Sequence, residues 1–470
     1  MSGPPTNREP TSDLPDPVPN VAPSGQLATR SSGITPAAIP TSDGVPRIVD
    51  PTPARVPGFL SGFRALRHRD FRLFFIGQLI SVIGTWMQSL AQSWLVLTLT
   101  NSPFALGMVG ALQFLPVLFL APFGGSIADR FPKRLVLLGT QSTMMILAFV
   151  LAALDWAKAV TYPEILVLAF LLGLANAVDM PTRQAFVVEL VGPDDLMNAI
   201  ALNSTLFNMA RLVGPAIGGL LIAAVGIAVC FFLNGVSFLA VLAGLAMMRP
   251  PPTRQRRLGS FTAVLIDLQE GFDYVRQNTP VLAIIIMLGI IGTFGINFNV
   301  VVPLLAKSTL NVGAVGLGWL MAAMGAGSLV ASLAIAYLSR EPRPIWILLP
   351  AVGFGLSELI LAPVRSYPAD LLLLAVAGAM QVIFSAQANS FIQIVVPNQL
   401  RGRVMAIYMM FWAGTTPIGS TLIGAVAEST GTFGPFLLGG IASLLAVLGV
   451  SRALWRASPQ PKLGPGPTPL

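Results

Sequence analysis

Along most of the chain the apolar positions do not alternate with polar ones; they run together. From Phe71 to Ala453, predominantly apolar stretches recur, each near the roughly 20 residues a helix needs to cross a bilayer. Polar and proline-rich breaks divide this body into about twelve spans. The first six cover about 71–98, 105–127, 135–154, 165–185, 199–225 and 227–248. The second six cover about 281–304, 315–338, 345–362, 371–395, 403–426 and 433–453. The pattern predicts an all-α polytopic membrane protein with twelve transmembrane helices in two six-helix bundles, at 59–248 and 281–456. The polar segment between them, 249–280, opens with the basic, proline-rich "RPPPTRQRR". Beyond Ser260, Phe261, Val264, Leu265, Leu268, Phe272 and Val275 share one face at helical spacing, which predicts an amphipathic helix on the inner membrane surface. Residues 1–58 and 457–470 are rich in Pro, Ser, Thr and Gly and are expected to be disordered cytoplasmic tails.

Composition changes this picture little. Hydrophobic residues make up 54% of the 470 and charged residues only 10%, against about 25% in soluble domains, so lipid rather than water must solvate most of the surface. The net charge of +8 needs no nucleic acid to explain it. With the N-terminus inside, the cytoplasmic segments collect Arg64, Arg67, Arg130, Lys133, Arg134, Arg254, Arg256, Arg257, Arg401 and Arg403. The outer segments hold Lys158, Lys307 and Arg365, an asymmetry that puts both termini in the cytoplasm. With one histidine, His68, and one cysteine, Cys230, there is little for a zinc cluster, a Ser–His triad or an internal disulfide. No lysine follows a glycine, which removes the phosphate-binding loop of an ATP-driven pump. No cofactor, no metal, no nucleic acid and no enzymatic chemistry are expected.

The halves look like a repeat. "IGTW" at Ile83–Trp86 matches "IGTF" at Ile291–Phe294, and "AFVVELVGPDDLMNAI" from Ala185 matches "SFIQIVVPNQLRGRV" from Ser390. Two six-span halves in parallel register point to a transporter that handles its cargo near the membrane midplane. Between spans 2 and 3 lies "GGSIADRFPKR", Gly124 to Arg134. Its glycines permit close helix approach, and its basic residues hold the loop at the inner surface. Gly125, Asp129, Arg130, Lys133 and Arg134 resemble the signature loop of the major facilitator superfamily, with Pro132 in place of a glycine. That resemblance implies a conformational latch at these residues. For Asp179 the default reading is a structural pair with Arg183, one turn later; the resemblance implies instead that it joins the latch. The stretches Asp179–Leu221 and "VPNQLRGRVMAIYMMFWAGTTPIGSTLIG" are similar to the branch that contains enterobactin exporters and macrolide efflux proteins.

Span 5 holds the most unusual chemistry, "MARLVGPAIGGLLIA". Gly214, Pro215, Gly218 and Gly219 resemble an antiporter motif of the superfamily; close packing with a kink at Pro215 is the plainer reading. Arg211 lies near mid-span, where a charge costs about 2.5–3.5 kcal/mol, and shares a polar face with Ser204 and Asn208. It is expected to face a cavity or to meet an acidic partner. The resemblance implies a cavity built by spans 1, 4, 7 and 10, whose polar candidates are Gln78, Thr85, Gln88, Gln92, Asn297, Gln381 and Gln387, with Asn208 and Arg211 from span 5. Glu358, well inside span 9, is the candidate for proton coupling. The expectation is a monomeric, multi-pass secondary-active transporter of the bacterial inner (plasma) membrane. It would export amphipathic small molecules, drugs or siderophore-like metabolites, by alternating access with proton antiport. An uptake permease for a small nutrient is the alternative.

Overall fold

The computed structural model describes residues 59–248, 261–338 and 343–456, apart from the side chains of residues 59–62, 121–129, 261–266, 336, 338, 413 and 455–456. Both tails and the basic start of the linker lie outside the described residues. A short 3-10 helix, Phe59–Arg67, leads into α1 (Arg69–Thr100), α2 (Pro103–Arg130), α3 (Lys133–Trp156), α4 (Tyr162–Val225) and α5 (Ile227–Met247). After the linker come α6 (Phe261–Gln277), α7 (Thr279–Phe294), α8 (Phe298–Leu304), α9 (Gly313–Leu338), α10 (Pro344–Leu361), α11 (Tyr367–Val395), α12 (Asn398–Thr430) and α13 (Phe433–Arg456). No strand occurs among the described residues.

Ten helical segments are long and apolar enough to cross a membrane. One of them, α4, has 64 residues, about 96 Å at 1.5 Å per residue and far more than one bilayer crossing. It is two spans joined at Gly192, whose φ of 68° and ψ of −179° suit a residue without a Cβ. Gly192 is where α4 leaves helical dihedrals, which continue through Pro215. Counting α4 twice and adding the less apolar α12 gives the twelve spans read from the sequence.

Span 7 departs from expectation. It is not one helix: the chain leaves the helical path at Gly295–Asn297 and resumes as α8, followed by a π-helical turn at Leu305–Thr309. Asn297 helps make this break. Its side-chain Nδ2 donates to the Thr293 carbonyl at 2.8 Å, the acceptor its own backbone would use in a helix. Its backbone N–H turns instead to Gly295.

The break marks where the two halves part. Past it, α8 reaches α1 and α2 of the first half, whereas α7 packs on α6, α11, α12 and α13 of its own half. The two halves are joined along α4 against α9 and α2 against α12. Cross-half hydrogen bonds among the described residues lie at mid-depth, at Arg211, or toward the side away from the linker, at Leu97–Lys307, Ser102–Glu428 and Phe104–Glu428.

Helix α6 forms as its periodicity predicts but does not simply lie on lipid. Val275 is buried, Leu268 and Tyr274 pack against the core of the second half, and Gly271 lies against Ile407 and Arg403 of α12. Arg403 also pairs with Asp267, at 2.6 Å, and with Glu270. Phe272 stays outward, while the side chains of Phe261, Val264 and Leu265 lie outside the described residues.

Candidate functional site

A cavity of about 200 Å³ sits at mid-depth between the halves. Thr85, Trp86, Gln88 and Gln92 line it from α1, Gln113 and Phe114 from α2. Asn297 and Asn299, at the break before α8, and Thr416 and Ser420 of α12 close it from the other half. None of the lining side chains carries a charge. Several are held from behind: the Gln88 Oε1 accepts from Asn234 Nδ2 of α5 at 2.7 Å, and the Thr85 hydroxyl donates to the Ser81 carbonyl at 3.0 Å. The pocket thus offers amide and hydroxyl groups on pre-oriented side chains beside the indole of Trp86, a surface suited to an uncharged, partly aromatic group.

Arg211 stands next to this cavity, and Trp86 belongs to both. The guanidinium carbon lies 5.6 Å from the centre of the Trp86 ring, within cation–π range. Its Nη2 donates to Gln381 Oε1 on α11 at 3.2 Å and approaches the Met324 sulfur on α9 at 3.8 Å. No carboxylate among the described residues pairs with it. Of the two roles open from the sequence, the ion pair is absent there, and the arginine bridges the two halves through neutral partners.

The glycines around Arg211 serve two interfaces. A Cβ on Gly214 would meet Trp86 Cβ at 2.6 Å, so Gly214 lets α4 close on α1. A Cβ on Gly219 would meet the Ala314 carbonyl oxygen of α9 at 2.6 Å, and one on Gly318 would meet the Pro215 carbonyl oxygen at 2.7 Å. Gly218 abuts Met87. This is the close-packing reading of the motif, extended across the halves.

The remaining candidates disperse. Gln78 is buried below the cavity, where its Oε1 accepts from Arg183 at 3.3 Å. Asn208 bonds back to the Ser204 carbonyl of its own helix, and Gln387 Oε1 has no protein partner; neither lines the cavity. Asp179 is fully buried and accepts from Thr140 (2.7 Å), Gln141 (2.9 Å) and Arg183, the last a pair within α4. In that loop Lys133 pairs with Glu189 at 2.6 Å, and Arg134 donates to the Leu245 and Ala246 carbonyls. Both contacts stay in the first half. Arg130 is exposed, over the Phe131 ring, and the side chains of Gly125 and Asp129 lie outside the described residues. Glu358 is buried between the span-7 break and α13, its carboxylate facing Gly295 and Gly439, and its Oε2 has no hydrogen-bond partner. It does not line the cavity. Among the polar lining residues the sequence did not single out, Gln113, Thr416 and Ser420 come from spans 2 and 11, and Ser89 and Ser93 are short hydroxyls of span 1.

Two broken six-helix halves around a polar mid-depth cavity are the architecture of a secondary transporter, and sequence comparison gives the family. The family model described as transmembrane secretion effector, within the major facilitator superfamily, matches residues 60–459. The chain belongs to this family. Among its relatives, the staphyloferrin A transporter of Staphylococcus aureus is 24% identical over 79% of this chain and 93% of its own length. The multidrug efflux pump Tap of Mycobacterium tuberculosis is 26% identical, covering 78% of this chain and 88% of its own. The enterobactin exporter EntS of Salmonella paratyphi A is also 26% identical, over 83% and 95%. The crystal structure of the nucleoside transporter NupG superposes with a TM-score of 0.65 at 15% identity, over 82% of this chain and 98% of that one. This likeness shows the fold alone, that of a multi-pass membrane transporter.

Proposed function

We propose that this transporter exports amphipathic small molecules by alternating access coupled to proton antiport. The observation that carries the reading is the mid-depth cavity itself. Side chains of both halves line it, and it lies where their contacts begin, so rocking the halves would expose it to one side and then the other. Its uncharged, amide-rich wall beside Trp86 suits an amphipathic cargo, and the cross-half hydrogen bonds at Arg211 and on the side away from the linker support loading from the linker side. The basic residues of that side support a cytoplasmic location for it and for both termini, in a bacterial inner membrane. Direction rests on the relatives, two of whose names denote export. Glu358 is the proton-coupling site in this scheme. A buried carboxyl oxygen without a donor among the described residues is costly to keep, and it sits at the span-7 break, beyond which α8 contacts both halves.

Inside-out vesicles holding the purified chain test this scheme. An interior-acid gradient is expected to drive uptake of amphipathic aromatic compounds of differing charge. Arg211→Ala should abolish uptake with membrane insertion retained. Glu358→Gln should abolish gradient-driven uptake yet leave exchange of cargo for cargo, which needs no proton. Uptake that ignores the gradient, or that Arg211→Ala leaves intact, would sink the scheme.

A further inference from the structure

Arg183, on the same helix as Arg211, pairs with Asp179, and Arg403 pairs with Asp267 and Glu270. Arg211 differs from both. Its contacts are one amide oxygen, one thioether sulfur and one aromatic face, none of them a charge, although it sits at mid-depth and borders a cavity without charged lining. We propose that the missing counter-ion is supplied by the cargo: the transporter selects molecules with an aromatic or apolar body and one oxyanion of the carboxylate type, and Arg211 is the residue that selects them. This rests on the transporter reading above and narrows it to a substrate class.

The chemistry favours exchange of the present partner for such a group. A guanidinium offers five N–H donors in a fixed fork, and among the described residues the hydrogen bonds of Arg211 use its Nη2. A carboxylate accepts two of these donors at once and adds its own charge, whereas the neutral Gln381 Oε1 accepts one. The body of the cargo would then lie against Trp86, with its neutral polar groups among Gln92, Gln113 and Asn299. Gln381 belongs to α11 of the second half and Arg211 to α4 of the first. An oxyanion that takes Arg211 from Gln381 therefore removes a cross-half hydrogen bond, so loading acts directly on the contact that rocking must break.

Cys230 provides the readout. It is the sole cysteine and fully buried, so a maleimide dye reacts when the chain unfolds. The full chain in lipid nanodiscs is heated with naphthalene-2-carboxylate, with its amide, or with naphthalen-2-ylmethylammonium, three probes sharing one ring system. The carboxylate is expected to raise the unfolding midpoint at about tenfold lower concentration than the amide, and the ammonium to be weakest, because a ligand bound to the native state stabilises it by mass action. In Arg211→Gln the advantage of carboxylate over amide should vanish, and in Arg211→Lys it should persist in part. A carboxylate no better than its amide in the natural chain, including no shift from either, overturns the proposal without recourse to any variant. So does an advantage that survives Arg211→Gln. Gradient-driven uptake without anion preference would remove this inference and leave the exporter reading; anion preference without gradient-driven uptake would do the reverse.

Discussion

A charge within a membrane-spanning helix has to be answered by something, and the two arginines of α4 are answered differently. Arg183 meets a carboxylate that is itself held by Thr140 and Gln141, a closed cluster within the first half. Removing the acid leaves a buried cation unpaired, which in proteins costs about 3–5 kcal/mol. Asp179→Asn is therefore expected to lower stability by about 3 kcal/mol, read as earlier maleimide labelling of Cys230 on heating. The double variant Asp179→Leu/Arg183→Met should recover most of that loss, since it removes both charges. If the single variant is as stable as the natural chain, Asp179 is not answering Arg183. Both arginines were legible from sequence, because a charge among apolar residues stands out. The i, i+4 partner of Arg183 was legible too. Gln381 was not identified as the partner of Arg211, because it lies 170 residues away on another helix and no local spacing encodes that approach.

At the level of elements, the far-side closure uses helix ends. The turn between α1 and α2 is gripped from the second half at both of its helix termini. Lys307 Nζ donates to the Leu97 carbonyl at the C-terminal end of α1, while Glu428 Oε2 accepts from Ser102 Oγ at 2.9 Å and from the Phe104 N–H at 3.1 Å, at the start of α2. Each charge has the sign that the adjoining helix dipole favours, worth about 0.3–1 kcal/mol apiece. Gly424 adds a close backbone approach to Pro103 and Phe104. Lys307→Met/Glu428→Gln is expected to shift the equilibrium toward the far-side-open arrangement by about 1–2 kcal/mol, roughly 5- to 30-fold in population. Spin labels at Asn101 and Ser429 would report it as a longer-distance population; an unchanged distance distribution would show that these contacts do not hold the closure. Sequence periodicity placed nearly every helix to within a few residues, since a bilayer sets both length and polarity. It missed the Gly295–Asn297 break, because the residues flanking it are apolar and continue the span by composition alone.

At the scale of the whole molecule, the charge asymmetry and the geometry make one joint statement about sidedness. The loops rich in Lys and Arg lie on the side that carries the linker, opposite the cross-half contacts of Lys307 and Glu428. If the basic loops are cytoplasmic, the proposed loading side faces the cytoplasm, as export requires. That orientation can be tested without knowing any cargo. Ala159, in the turn between α3 and α4, and Arg401, near the start of α12, are both exposed and lie on opposite faces. Cys230 is buried and stays silent in a native chain. In intact cells a membrane-impermeant maleimide is expected to label Ala159→Cys and to leave Arg401→Cys unlabelled until the membrane is opened. The opposite pattern would place the proposed loading side on the outer face, and the same cavity, with the same unpaired Arg211, would then be loading from outside as an uptake permease does.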